Sequence, residues 1–344
     1  IIGMIALFSA TYDSEDTSLQ RQLIWFVICI PVVFIIIFID YEAIAKISPI
    51  LYGIVLILLV IVLFTDPVNG ATSWFNLGFL SIQPAEFAVI LFLALVLCKI
   101  QEKGKNEINR PTKLLIALAV VAIPVLLIIK QPDYGTAAAF LVATVMILFT
   151  AGINKKYIIG TILLVVIAVP LLYFFVLPEH AKDRIEVFLN PESDPRGSGY
   201  NLTQSKLAIG AGQLTGMGLL KGNQTQLGFL YPKTTDFIFS VIGEEMGFIV
   251  AGSVIIIYVI LITKSIYVAK TAKDDLGTYI AIGIAGIFLF HMVENIGMTM
   301  GLLPITGVPL PFVSYGGSSL LTNFILIALL LNISGRRQKA IFIE

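Results

Sequence analysis

The chain has 344 residues, 58% of them hydrophobic and only 13% charged, about half of the ~25% charged content of a soluble globular protein, which excludes water as the main solvent of the fold. Its 22 basic residues balance its 22 acidic ones, so neither a basic footprint for nucleic acid nor an acidic solvating tail is present. The cysteines Cys29 and Cys98 lie inside apolar blocks, and His180 and His291 stand far apart without an HExxH motif, which argues against a disulfide framework and a histidine-built zinc site.

The apolar residues gather in blocks of about 20, the length that spans ~30 Å of hydrocarbon at ~1.5 Å per residue. The blocks predict ten helices, over 1–10, 20–39, 47–65, 82–98, 114–130, 135–151, 157–177, 237–263, 277–301 and 312–332. The fold class is therefore all-α, one polytopic membrane domain over 1–344. The first helix is too short to cross and begins at Ile1 rather than at a Met, as the end of a longer helix would. Lys and Arg should collect on the cytoplasmic side. Counted from an inward-facing N-terminus, the cytoplasmic segments hold Lys46, Lys99, Lys103, Lys105, Arg110, Lys113, Lys155, Lys156, Lys264, Lys270, Lys273, Arg336, Arg337 and Lys339, and the short outer loops hold Arg21 and Lys130. Both termini are predicted to face the cytoplasm. Between the seventh and eighth helices lies a large extracytoplasmic loop, 178–236, nearly sixty mostly polar residues with many glycines. Loops that long usually carry function. Its piece 202–211 has helical apolar spacing and predicts a short interfacial helix.

Ionisable groups at membrane depth are costly and are functional candidates by default. Trp74, in NGATSWF, sits in an outer loop, where tryptophan also serves as an interfacial anchor. Glu86, in SIQPAEF, can cap the fourth helix or touch substrate. Asp133, in KQPDYGTA, is placed either to cap the sixth helix or to bind substrate. His291 and Glu294 share a helix face and can pair with each other or with Asn295. Asp236 closes the long loop where the chain re-enters the membrane, next to Thr234 and Thr235. Thr235 is the better helix cap, which leaves the Asp236 carboxylate free to take a proton from a substrate hydroxyl. Thr235, Asp236 and Glu244 are expected to line the outer mouth of a cavity. The run GVPLPFVSYGGSS, 307–319, includes Ser314 and Tyr315 and carries no charge. Irregular backbone at that depth belongs inside protein or along a cavity, not against lipid.

With these residues in view, the chain resembles the SEDS family of bacterial cell-wall proteins. The matching segments are GATSWF at 70–75, QPAEF at 83–87, QPDYGTA at 131–137, GSGYNLTQSKLAIGAGQLTGMG at 197–218, GNQTQLGFL at 222–230, TDFIFSVIGEE at 235–245 and NIGMTMGLLPITGVPLPFVSYGGSS at 295–319, followed by a basic tail. They cover nearly the whole chain in order, and GNQTQLGFL is most similar to the elongation-associated members. The resemblance implies a peptidoglycan glycosyltransferase of the bacterial cytoplasmic membrane that polymerises lipid II on the outer face, with a class B penicillin-binding protein as partner. It places the essential aspartate of the TDFIF segment at Asp236, the family tryptophan at Trp74, the QPxE glutamate at Glu86 and the QSK lysine at Lys206. Two positions depart from the family pattern. Val89 stands where many relatives have a lysine one turn after the glutamate, with Lys130 as the candidate replacement partner for Glu86, and Thr234 stands where relatives often have histidine.

Polymerisation needs a base for the attacking sugar 4-hydroxyl and positive charge for the departing pyrophosphate. Asp236 is the expected base. Lys206, Arg184 or a divalent cation, magnesium or manganese, is expected to offset the phosphate charge. No carboxylate cluster has spacing specific to either metal. The competing readings are a lipid-linked precursor flippase and a non-catalytic scaffold for the penicillin-binding protein.

Overall fold

The structure is a computed structural model that describes residues 1–12, 16–66, 72–77, 80–83, 87–104, 106–161, 163, 166–167 and 179–337. In chain order its elements are α1 (Ile2–Thr11), α2 (Ser18–Phe38), α3 (Tyr41–Ile61), β1 (Phe75–Leu77), β2 (Leu80–Ile82), α4 (Phe87–Gln101), α5 (Pro111–Ile129), α6 (Tyr134–Thr150), α7 (Glu179–Leu189), α8 (Ser198–Ala211), α9 (Asn223–Gln226), α10 (Ile238–Thr271), α11 (Asp275–Thr299) and α12 (Gly317–Gly335). Six of them, α2, α3 with its short 3-10 extension, α5, α10, α11 and α12, are long and apolar enough to cross a membrane, and α1, α4 and α6 are shorter apolar helices. The predicted helix 157–177 lies mostly outside the described residues.

Local sequence sets the helix starts. Asp40 caps α3 by accepting from the Glu42 N–H at 3.0 Å. Asp133 caps α6 by accepting from the Thr136 N–H at 3.1 Å, and its other oxygen accepts from the Gln83 amide at 2.9 Å. Pro111 opens α5, where its missing N–H costs nothing. Outward faces carry large apolar side chains, such as Phe34, Ile35, Phe38, Ile54 and Ile57, an arrangement that suits lipid and not water.

Two expectations about elements are corrected. The all-α class holds, and beside the helices β1 and β2 form a short antiparallel hairpin with Phe75 opposite Ile82 and Leu77 opposite Leu80. The fourth helix therefore starts at Phe87 rather than 82. The last helix starts at Gly317 rather than 312, since Pro309, Pro311 and a left-handed Phe312 (φ 64°) keep the preceding run irregular.

The chain forms two compact units. The first comprises Ile1–Leu19, Ile153–Ile256 and His291–Tyr315, and the second Gln20–Gly152, Ile257–Phe290 and Gly316–Glu344. In the second unit α3 packs on α4 and α5, α5 on α4 and α6, and α12 on β2. Gly317 admits the Trp25 indole so closely that a Cβ there would sit 1.9 Å from its nitrogen. The first unit holds α1, α7, α8, α9, the kinked beginning of α10, the end of α11 and the irregular stretch that follows. An apolar pocket of about 390 Å³ lies in it, between Ile255, Met292, Ile296, Met300 and Leu303.

Candidate active site

Asp236 sits in a turn that ends at Phe237, just before α10 begins at Ile238. Three consecutive carbonyls of this turn are held, two by the stretch before α12 and one by α11. The Tyr315 N–H donates to the Thr234 carbonyl at 2.8 Å, the Ser314 hydroxyl to the Thr235 carbonyl at 2.7 Å, and the Asn295 amide to the Asp236 carbonyl at 3.1 Å. A second N–H of Asn295 reaches the Val308 carbonyl at 2.9 Å. Gly307 passes beside the carboxylate: a Cβ built on it would lie 3.5 Å from Asp236 Oδ2. Gly307 itself adopts φ 77°, which a side chain would strain.

The Asp236 side chain is half-buried. Burial pushes its carboxyl above the ordinary aspartate range, and a hydrogen bond from Thr235 and the positive charge of Arg184 on α7 offset part of that rise. A carboxylate poised in this way is a better proton acceptor than an ordinary surface aspartate.

Downstream of the turn, Glu244 and Glu245 are fully buried. Glu244 accepts from the Gln224 N–H at 2.7 Å, the Thr225 N–H at 3.0 Å and the Thr225 hydroxyl at 2.7 Å. Glu245 accepts from the hydroxyl of Ser9, the N–H groups of Leu220 (3.2 Å) and Gly222 (3.4 Å), and the Gln226 amide at 2.7 Å. The two carboxylates thus fasten the segment from Leu220 to Gln226. The Thr225 carbonyl in turn accepts from Lys233 Nζ at 2.9 Å, which ties this segment to the turn that carries Asp236. Glu244 was expected at the mouth of a cavity; the structure buries it instead, because the glycine-rich loop folds back over it.

Of the other residues singled out from sequence, Thr235, Ser314 and Tyr315 meet at Asp236 through the contacts above, and Arg184 acts on the carboxylate by charge. The Ser314 hydroxyl also accepts from the Leu310 N–H at 2.8 Å, so the backbone takes up its bonding capacity. Lys206 is exposed on α8, its stem running beside Gly301. Trp74, half-buried, Lys130, exposed at the end of α5, and Asp133, the cap of α6, belong to the second unit. Glu86 lies outside the described residues. Glu294 takes its hydrogen bond from Thr306 at 2.8 Å, and the Asn295 amide goes to two carbonyls rather than to His291 or Glu294.

Asn295 and Lys233 were not singled out by sequence as parts of the site. The signal for Asn295 was an amide inside an apolar helix, a group that must find a partner at membrane depth; its partners lie 59 and 13 residues away in sequence. Among the described residues no three His, Cys, Asp or Glu side chains converge as a cation cage.

A family profile described as "cell cycle protein", covering FtsW, RodA and SpoVE, matches residues 1–339. The chain is 38% identical to the peptidoglycan glycosyltransferase MrdB of Escherichia coli K12 over 292 residues, 85% of this chain and 78% of that one. Its fold is similar to a chain from a peptidoglycan synthase complex that coordinates polymerization and crosslinking, with TM-score 0.83, 27% identity and coverage of 98% of this chain and 94% of that one. It is also similar to the rod shape determining protein RodA of Thermus thermophilus, with TM-score 0.72, 26% identity and coverage of 98% and 93%. Matched along almost its whole length, the chain belongs to the FtsW/RodA/SpoVE family, the SEDS proteins.

Proposed function

We propose that this protein is a peptidoglycan glycosyltransferase that polymerises lipid II into glycan strands during cell-wall elongation, with a class B penicillin-binding protein as its partner. The observation that carries the reading is the Asp236 carboxylate: half-buried, pushed above the ordinary aspartate range by burial, and held in a turn whose carbonyls are fastened one by one. Asp236 takes the proton of the acceptor 4-hydroxyl as that oxygen bonds to the anomeric carbon of the donor. The bond from that carbon to the pyrophosphate oxygen breaks, and the electron pair leaves on the polyprenyl pyrophosphate. Attack from the face opposite the leaving group inverts the centre, so an α-linked donor yields a β-linked strand without a covalent enzyme intermediate.

Arg184 and Lys206 are assigned to the charge that grows on the pyrophosphate. Trp74, Glu86, Lys130, Asp133, Thr235, Ser314 and Tyr315 are assigned to substrate binding, with Ser314 acting through the turn it holds. A magnesium or manganese ion at the pyrophosphate would take most of its ligands from phosphate oxygens and water, as magnesium usually does. The topology that fits the basic residues is ten membrane-spanning helices with both termini in the cytoplasm and the 178–236 loop outside.

The deciding experiment is polymerisation of purified lipid II by the protein with its class B partner, wild type against D236N. Polymer from the wild type alone supports Asp236 as the base. Polymer from neither, with both proteins folded and complexed, moves the assignment to a flippase or a scaffold.

A further inference from the structure

Asn295 has no exposed surface, and its two amide hydrogens go to two separate parts of the chain, the carbonyls of Asp236 and Val308. Its neighbour Glu294 holds Thr306 by the threonine hydroxyl at 2.8 Å. Consecutive residues of α11 therefore fix both sides of Gly307, the residue that lies beside the Asp236 carboxylate. Thirteen residues of Pro- and Leu-rich chain separate Gly301 from Tyr315 without regular structure, so nothing in a helix or sheet ladder would keep this stretch in register with the turn. The Tyr315 N–H and the side chains of Ser314 and Asn295 do it instead, and Asn295 reaches from α11 to both the turn and the stretch beside Gly307.

We propose that Asn295 is a positioning residue for glycosyl transfer: by joining the carbonyls of Asp236 and Val308 it holds the carboxylate of Asp236 over Gly307, at the spot where the acceptor hydroxyl has to arrive. The inference rests on Asp236 being the base. A base must come within about 2.6–3.2 Å of the atom whose proton it takes, and a misplacement of about 1 Å costs about 100-fold in rate. Ser314 contributes a weaker version of the same restraint, because it grips the neighbouring carbonyl of Thr235 and does not reach the Gly307 side.

The test is steady-state polymerisation of lipid II by the complete protein with its class B partner, comparing wild type, N295A, S314A and D236N, each checked for thermal unfolding and partner binding. N295A should lower kcat by about 30- to 100-fold while KM for lipid II stays within about threefold, since the substrate contacts remain and only the reacting geometry loosens. S314A should lower kcat by a smaller factor, about three- to tenfold, again with KM preserved. If N295A does not fold, S314A decides: a kcat equal to wild type overturns the proposal. A folded N295A with wild-type kcat overturns it as well, and so does a loss that appears as a raised KM or a lost partner with kcat intact. The parent reading fails separately, by D236N polymerising at the wild-type rate, whereas an inactive D236N beside a normal N295A removes only the positioning role.

Discussion

At Asp236 function and stability pull in opposite directions. A carboxyl raised by burial binds its proton more tightly when folded than when unfolded, so its ionisation opposes folding as pH rises above the ordinary value of 3.8. D236N removes the charge at nearly constant volume. It should therefore raise the melting temperature at neutral pH, each kcal/mol gained corresponding to about 2–4 °C, and the gain should shrink as pH falls through the raised pKa of the wild-type carboxyl. Polymerisation should show the other face of the same shift. With Asp236 as the proposed base, which works only when ionised, kcat should fall on acidification through a pKa above that of an ordinary aspartate, and a limb at or below 3.8 would contradict the burial argument. The position of Asp236 at the end of the loop and the start of a helix was legible from TTDFIF alone. The role of Asn295 was not, because an amide in an apolar helix announces that a partner exists without saying which carbonyl 59 residues away it will meet.

Among the elements, the long helix α10 is broken where the loop docks. Gly247 takes φ 74° inside it, and a Cβ there would lie 2.2 Å from the Gly216 backbone nitrogen. The N–H groups of Met217 and Gly218 donate to the carbonyls of Glu244 and Glu245, and those of Phe248 and Ile249 to the carbonyls of Gln213 and Leu214, so the break is where loop and helix exchange hydrogen bonds. G247A should thus destabilise the protein by well over the ~1 kcal/mol of an ordinary Gly effect, since clash and strain add to it, and a thermal melt within a degree or two of wild type would contradict the geometry. E245A takes the Glu245 acceptor from the Ser9 hydroxyl and the N–H groups of Leu220 and Gly222, while the Gln226 amide keeps its bonds to Ser9, at about 1–3 kcal/mol for each group left unsatisfied. Its expected signature is faster hydrogen exchange over Leu220–Gln226. Sequence patterning anticipated the six long apolar helices because hydropathy reads burial in lipid directly, yet it missed element ends at 82 and 312. Apolar residues continue through both places, and only the hairpin pairing at Phe75–Ile82 and the prolines around Phe312 tell backbone that is apolar from backbone that is helical.

For the whole molecule, the basic residues make a topological forecast that can be checked in intact cells. With Cys29 and Cys98 replaced by serine, a cysteine at exposed Leu219 should react with a membrane-impermeant maleimide added outside, and a cysteine at exposed Glu102 only after the membrane is opened. The reverse pattern would invert the orientation and remove the loop from the side where lipid II is polymerised. Among the described residues Glu244 and Glu245 are held by N–H and hydroxyl donors of the chain and not by an ion pair, which has its own consequence. Where Lys273 meets Glu42 at 2.6 Å on a partly exposed surface, added salt competes for both charges. The loop anchor offers no such foothold, because its counter-charge is the chain's own N–H dipoles, sealed from the solution. Ionic strength should accordingly leave the loop as firmly docked in concentrated brine as in dilute buffer, a prediction that hydrogen exchange over Leu220–Gln226 at low and high salt checks.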